Sequence, residues 1–185
     1  MDTKSEIIRI GDILIREKGY NAFSFSDISQ QLKIKNASIH YHFPTKTHLG
    51  IAIIHVHRAR LEHLVQSGSG KSPLENLNSF FSIYTNAKKE DKVCLVGSLA
   101  TDLYTVDVDI QKELKRLVHS ILKWVTETLE SGKKQGVFHF DIDSRVKALM
   151  IITNMLAALQ LTRLTNKQDF HLIKQTIINS LITGK

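Results

Sequence analysis

Apolar residues recur every three or four positions through most of the chain, which predicts a protein built from α-helices. Strand-like alternation is scarce, and its one clear instance, residues 137–143, is short and has no candidate partner strand, so an extended connector is predicted there. The helices are predicted at about residues 3–18, 24–32, 35–43, 45–66, 73–88, 93–104, 107–133, 144–164 and 169–182.

Start and stop signals support several of these boundaries. Ser24 with Asp27, and Ser72 with Glu75, each have the spacing of a capping box at a helix N-terminus. Pro44 biases the residue before it away from helical angles, so the helix from 35 ends there. The stretch SGSGKSP, residues 67–73, is the clearest break in composition and predicts an exposed loop.

The short predicted helix 35–43 has too few apolar residues to be explained by burial. Only Ile39 and Phe43, spaced i and i+4, face a core. The other side chains carry cations, amides and hydroxyls, which suit phosphate oxygens and the base edges of a major groove. The outward set consists of Lys35, Asn36, Ser38, His40, Tyr41 and His42, with Lys46 just beyond the proline.

The residues around this helix carry a resemblance to a known family. The run SFSDIS at 24–29, eleven further residues, and YHFPTKxxL at 41–49 resemble the helix-turn-helix of the TetR family of bacterial transcriptional regulators. The resemblance implies an all-α homodimer with a three-helix DNA-binding domain over residues 1–47 and a larger helical ligand-binding and dimerisation domain over 48–185. It also implies a ligand-responsive repressor that binds a palindromic operator.

The resemblance and the polar pattern together give a set of expected DNA-binding residues. Lys35, Lys46 and the helix N-terminus capped by Ser24 are expected to hold phosphates. Asn36, Ser38, His40 and Tyr41 are expected to contact bases or set the register. The chain has Lys33, Lys35 and His40 where the family usually has Gly, Ser and Tyr, so a different base preference is expected. The full set is Ser24, Lys35, Asn36, Ala37, Ser38, His40, Tyr41, His42 and Lys46.

Charge agrees with an anionic partner. The formal net charge is +7 and the isoelectric point is about 9.5. Residues 1–60 hold nine Lys or Arg against five Asp or Glu, together with five of the nine histidines. The excess is therefore densest in the part of the chain that carries the helix-turn-helix pattern.

The last two predicted helices are more apolar than a surface helix needs. A helix that is apolar nearly all round is buried on both sides, and a second subunit would supply the other side as an intermolecular four-helix bundle. The alternative is a larger monomeric core. The residues expected at the dimer interface are Leu149, Ile152, Leu156, Leu159, Ile173, Ile177 and Leu181.

Aromatic and polar residues of the larger domain could line a cavity for a small effector of unknown identity. The single cysteine excludes an internal disulfide and fits a reducing cytoplasm. Because some relatives sense electrophiles through cysteine, a thiol-responsive regulator is an alternative, although a buried cysteine is more often a small core residue. The candidate ligand residues are Phe81, Tyr84, Cys94, Tyr104, Trp124, Asn154 and Met155.

Other functional classes find little support. The sequence has no nucleophile-elbow, P-loop or dinucleotide-binding motif, and no cofactor is expected. His48, His55 and Glu62 share a helix face but span about 21 Å, too far for one metal ion. The longest apolar run, residues 148–161, is too short for a bilayer, and no signal peptide is recognised. A small helical enzyme, or a protein-binding module whose helix-turn-helix reads no DNA, remain as alternatives.

Overall fold

The computed structural model describes residues 2–166 and 168–184, and over these ranges the chain forms nine α-helices and no strand. The prediction of an all-α fold is confirmed. The helices are α1 (Thr3–Lys18), α2 (Phe25–Leu32), α3 (Asn36–His42), α4 (Lys46–Ser67), α5 (Pro73–Lys89), α6 (Leu95–Thr101), α7 (Val108–Lys134), α8 (Ser144–Leu161) and α9 (Asp169–Thr183).

Side-chain caps explain where several helices begin. The Asp2 carboxylate accepts a hydrogen bond of 2.8 Å from the Ser5 amide. Ser72 donates to Glu75 through both its amide and its hydroxyl, at 2.9 and 2.7 Å, and Pro73 follows as the first residue of α5. Asp143 accepts from the amides of Arg145 and Val146 in the first turn of α8. These local bonds satisfy amide groups that have no partner within the helix.

Helices α6 and α8 both end earlier than predicted. After α6, the carbonyl of Asp102 accepts from the amides of Thr105 and Val106, so the chain turns there instead of continuing. At the end of α8, the ammonium of Lys88 donates to the carbonyl and the hydroxyl of Thr162 at 3.2 and 2.9 Å. A cation at a helix C-terminus satisfies the last carbonyls and opposes the helix dipole.

Packing divides the helices into two compact units. The first unit contains α1 to α3, α4 up to Arg60, and Leu95–Val118, which comprises α6 and the start of α7. Its core is apolar, with fully buried Ile7, Ile15, Ile28, Leu49, Ile53 and Ile110. The packing unit that holds the helix-turn-helix thus also includes a segment some fifty residues further along the chain, whereas the functional division at residue 47 stays a prediction.

The second unit contains the end of α4, α5, the rest of α7, α8 and α9. Its interior is aromatic: the ring of Phe80 lies 5.6, 5.3 and 6.3 Å from those of Phe81, Tyr84 and Trp124. Residues 137–143 form the predicted extended connector, and the His139 amide donates to the Leu181 carbonyl at 2.6 Å. None of the described helices is long and apolar enough to cross a membrane.

Gly132 lets the end of α7 pack directly on Phe138, whose side chain is 1% exposed. A Cβ at Gly132 would lie 2.0 Å from an edge carbon of that ring. We expect Gly132→Ala to lower the free energy of unfolding by about 1–3 kcal/mol, although alanine is the better helix former. Urea unfolding followed by circular dichroism measures this.

The neighbouring Lys134→Ala is the matched control, because Lys134 is exposed on the same helix and its replacement creates no overlap. Adding Phe138→Leu to Gly132→Ala tests the cause, since the smaller side chain frees space beside the new methyl group. Equal stability of the Gly132→Ala protein and the parent would contradict the steric account.

Candidate nucleic-acid interface

Helix α2 begins at a capping box, as predicted. The amide and the hydroxyl of Ser24 both donate to the Asp27 carboxylate, each at 2.7 Å. These hydrogen bonds hold the pKa of the Asp27 carboxyl below its ordinary value. The Ser24 hydroxyl is therefore already engaged, and a carboxylate lies at the N-terminus that we expected to hold a phosphate.

The turn between α2 and α3 is a Schellman motif with a lysine at its left-handed position. The Ile34 amide donates to the Ser29 carbonyl at 3.1 Å and the Lys33 amide to the Gln30 carbonyl at 3.3 Å. Lys33 has φ 54°, a conformation that glycine adopts without strain and lysine does not. The family's glycine has thus been replaced at the position where its freedom is needed.

Helix α3 is anchored by two side chains and exposed along the rest. Ile39 and Phe43 are 0% and 3% exposed, as predicted. Tyr41 is 84% exposed, which is unusual for an aromatic side chain in a folded protein. Lys35, Asn36, Ala37 and His40 are exposed as well, and Ser38 and His42 are half-buried. A helix held in this way presents its polar side to a partner.

Two of the outward residues have local partners. The His40 ring lies 5.0 Å from the ring of Phe25, and its Nδ1 is 3.3 Å from the Pro44 carbonyl oxygen. The Tyr41 ring lies edge-on to that of His42 at 5.1 Å. A shallow depression beside them is lined by Thr3, Ile34, Ala37, Ser38, Tyr41 and His42. Residues of α3 expected to contact bases therefore share one surface with the N-terminal end of α1.

Lys46 turns inward rather than toward a phosphate. Its Nζ donates to the Phe23 carbonyl oxygen and lies 4.6 and 4.1 Å from the ring centroids of Tyr20 and Phe23. Burial lowers the pKa of the Lys46 ammonium, against the attraction of Asp102 and Asp27. In this structure Lys46 therefore ties the start of α4 to the α1–α2 turn, a role that the sequence pattern did not indicate.

Helix α1 is joined to α4 through the Asp12 carboxylate. His57 Nε2 lies 2.6 Å from Asp12 Oδ1, and Arg16 Nη1 of the same helix lies 3.3 Å from Asp12 Oδ2. Burial would raise the pKa of the Asp12 carboxyl, but its contacts with His57 and Arg16 bring it below its ordinary value. A largely shielded hydrogen-bonded contact thus links α1 to the helix that follows the helix-turn-helix.

Comparisons with known proteins agree with this geometry. Residues 7–53 match the family model described as bacterial regulatory proteins, tetR family. The fold resembles a TetR transcriptional regulator from Legionella pneumophila, at 32% sequence identity over 98% of both chains with a TM-score of 0.86. The chain belongs to the TetR family of transcriptional regulators.

Further solved structures share the fold of this TetR-family protein. A TetR-family regulator from Agrobacterium tumefaciens shares 26% identity over 97% of both chains, with a TM-score of 0.90. The fold is also that of FadR from Bacillus subtilis, solved in complex with stearoyl-CoA, at 16% identity over 98% of both chains and a TM-score of 0.74. A search of curated proteins found no match.

The residues predicted to line an effector cavity are only partly brought together. Phe81, Tyr84, Trp124 and Met155 are at most 7% exposed inside the second unit of the regulator. Burial, followed by the nearby Cys94, raises the pKa of the Tyr84 hydroxyl above its ordinary value. Cys94 is itself 9% exposed. Tyr104 belongs to the first unit and is 94% exposed, and Asn154 is on the surface of the second.

The residues predicted at a dimer interface also divide into two groups. Leu159 and Leu181 are 2% and 0% exposed within the single chain, so they belong to its core and leave nothing for a second chain to cover. Leu149, Ile152, Leu156, Ile173 and Ile177 are at least partly exposed. A groove between α8 and α9 is lined by Ile173 and Ile177 of this set, together with Met150, Leu172, Thr176 and Ser180, which the sequence analysis did not name.

The left-handed Lys33 gives a prediction for the turn of the helix-turn-helix. We expect Lys33→Gly to raise the free energy of unfolding by about 0.5–1 kcal/mol, because glycine relieves the backbone strain at φ 54°. Lys33→Ala, which removes the same charge but keeps a Cβ, is the control and should give no comparable gain. Thermal unfolding of the two variants side by side measures the difference, and equal stabilities would refute the strain.

Proposed function

We propose that this regulator binds a palindromic operator as a homodimer and represses transcription until a small effector releases it. The observation that carries the proposal is helix α3, in which Ile39 and Phe43 are buried while Tyr41 is 84% exposed. The exposed Tyr41 ring lies beside amides, a hydroxyl and cations. Such a surface suits the base edges and flanking phosphates of a major groove. Binding of DNA implies that the protein acts in the cytoplasm, and no catalytic step is part of the proposal.

The exposed residues divide by chemistry into two roles. Lys35, at the N-terminus of α3, would contact phosphate and fix the orientation of the helix. Asn36, Ser38, His40 and Tyr41 offer amide, hydroxyl, imidazole and phenol groups to base edges. Lys46 would act indirectly by holding the end of α3 in place, since its ammonium is already bound by Tyr20 and Phe23.

An effector would release the regulator from DNA by shifting the balance between two conformations of the protein. A ligand that binds the second unit better in a state incompetent for DNA would shift the regulator toward that state. The buried aromatic cluster of Phe80, Phe81, Tyr84 and Trp124 supplies apolar surface for an apolar or amphipathic effector, once those side chains part. The stearoyl-CoA bound to the Bacillus subtilis FadR is one example of such a molecule.

DNA binding gives the first test of this function. Duplexes selected from a random library by the wild-type protein should contain an inverted repeat. Lys35→Ala should weaken binding to the selected duplex at all sequences and reduce the salt dependence by about two counterions per dimer, one for each copy of Lys35. Tyr41→Ala should weaken binding by about ten-fold or more if the ring contacts a base. Fluorescence anisotropy at several salt concentrations measures both effects.

Lys71→Ala is the matched charge control, because Lys71 is exposed in the α4–α5 loop of the second unit. It should leave the affinity and the salt dependence close to those of the wild type. Failure to select any duplex, or full affinity in both Lys35→Ala and Tyr41→Ala, would remove the assignment.

The groove between α8 and α9 gives a test of the dimer. Met150 is 49% exposed beside this groove, so Met150→Asp should leave the fold of the single chain intact. A carboxylate buried in an apolar interface costs several kcal/mol, which Lys147 in the same groove offsets only in part, so the dimer dissociation constant should rise by at least about ten-fold. Sedimentation velocity at a series of concentrations measures it.

Val108→Asp is the control for that substitution, since Val108 is 57% exposed in the first unit. It introduces the same charge in the other compact unit. A wild-type protein that sediments as a monomer, or a Met150→Asp protein that remains fully dimeric, would refute this interface.

A further inference from the structure

We propose that Asp102, on the turn after α6, is a positioning residue for DNA binding: it holds the α1–α2 turn from which the helix-turn-helix continues. This inference rests on the proposed function. It concerns the first unit only, to which both the turn and Asp102 belong.

The carboxylate of Asp102 makes two hydrogen bonds to residues more than eighty positions earlier. Its Oδ2 accepts from the backbone amide of Tyr20 at 2.8 Å, and its Oδ1 accepts from the side-chain amide of Asn21 at 3.1 Å. The same Asn21 nitrogen donates to Thr105 Oγ1 at 2.6 Å. The α1–α2 turn is thus bound by one carboxylate and one hydroxyl from the segment that follows α6.

A second contact fixes the helix that enters the turn. Ser98, on α6 and 7% exposed, donates from Oγ to the Ile15 carbonyl at 2.6 Å. The Gly19 amide donates to that same carbonyl at 2.9 Å, so Ser98 completes the C-terminus of α1. Gly19 has φ 93° and leaves room at the point where the Asp102 carboxylate approaches.

The α1–α2 turn also supports the start of α4. The ring of Tyr20 is 6% exposed and packs over Gly50, where an added Cβ would lie 3.1 Å from it. Tyr20 and Phe23 enclose the ammonium of Lys46, the first residue of α4, two positions after Pro44. A shift of Tyr20 would therefore move the anchor that follows α3, although Asp102 itself need not touch DNA.

Removing the negative charge of Asp102 should change the DNA affinity in opposite directions for a positioning role and for a direct electrostatic role. Removing a negative charge near a DNA-binding surface should strengthen binding if Asp102 acts only through its field. If Asp102 acts by position, its removal lowers the fraction of molecules in which the turn is in place, and the apparent affinity falls with that fraction. The salt dependence should stay unchanged, because no phosphate contact is lost.

The test measures affinity for the duplex selected by the wild-type protein, at a temperature well below the unfolding midpoint of every variant. Asp102→Ala should bind about ten-fold more weakly, since it leaves a part-buried amide without its acceptor. Asp109→Ala, which removes an exposed aspartate from the same unit, is the charge control and should bind as tightly as the wild type or slightly better.

Two further variants keep the proposal open to refutation if Asp102→Ala folds poorly. Asn21→Ala removes one partner of the carboxylate and should weaken binding by a few-fold. Asp102→Asn combined with Asn21→Asp exchanges donor and acceptor and should recover part of the affinity that Asp102→Asn alone loses. A purely stabilising contact would lower the unfolding temperature of these variants without changing the affinity of the folded protein.

The outcomes distinguish this proposal from the proposed function. Selection that recovers no duplex with the wild-type protein would overturn both. Selection that succeeds, followed by unchanged or tighter binding of folded Asp102→Ala and Asn21→Ala, would overturn the positioning role alone. A reduced salt dependence in Asp102→Ala would also overturn it, because that result indicates a lost phosphate contact.

Discussion

The DNA-binding unit depends on tertiary contacts that stabilise α3, because this helix is too short to be stable by itself. Helix α3 has seven residues, and isolated helices of that length are marginal in water. Its stability therefore comes from Ile39 and Phe43, which are 0% and 3% exposed. Because two side chains supply the whole anchor, the remaining positions are free to be polar. The neighbouring caps, turn and ion pairs keep the site for those two side chains in shape.

Much of this arrangement was predicted from local sequence, since its causes are local. The Ser24–Asp27 and Ser72–Glu75 boxes each span three positions, and the structure forms the hydrogen bonds expected of them. The resemblance indicated a lysine at a turn position where the family usually has glycine, and Lys33 has φ 54° there. All nine helices were predicted for the same reason: a helical period and its caps lie within one stretch of chain.

Local patterns did not indicate what a side chain contacts at a distance along the chain. Leu159 and Leu181 were expected at a dimer interface, and both are buried within the single chain, because α8 and α9 pack against their own unit as well. Lys46 was placed toward phosphate on its charge, but its long stem and ammonium fit the aromatic pair of Tyr20 and Phe23. Asp102 gave no signal at all, since its partners are 81 and 82 positions away.

The surface proposed for dimerisation shows how polar residues can belong to an apolar interface. Thr153 and Asn154 donate to the carbonyls of Leu149 and Met150 in their own helix, at 2.9 and 2.7 Å. Ser180 on α9 likewise donates to the Ile177 carbonyl at 2.9 Å. A second chain that covered them would not have to replace those hydrogen bonds, so burial there carries a smaller desolvation cost than the residue types suggest. Polar positions on α8 and α9 are therefore compatible with a buried four-helix contact.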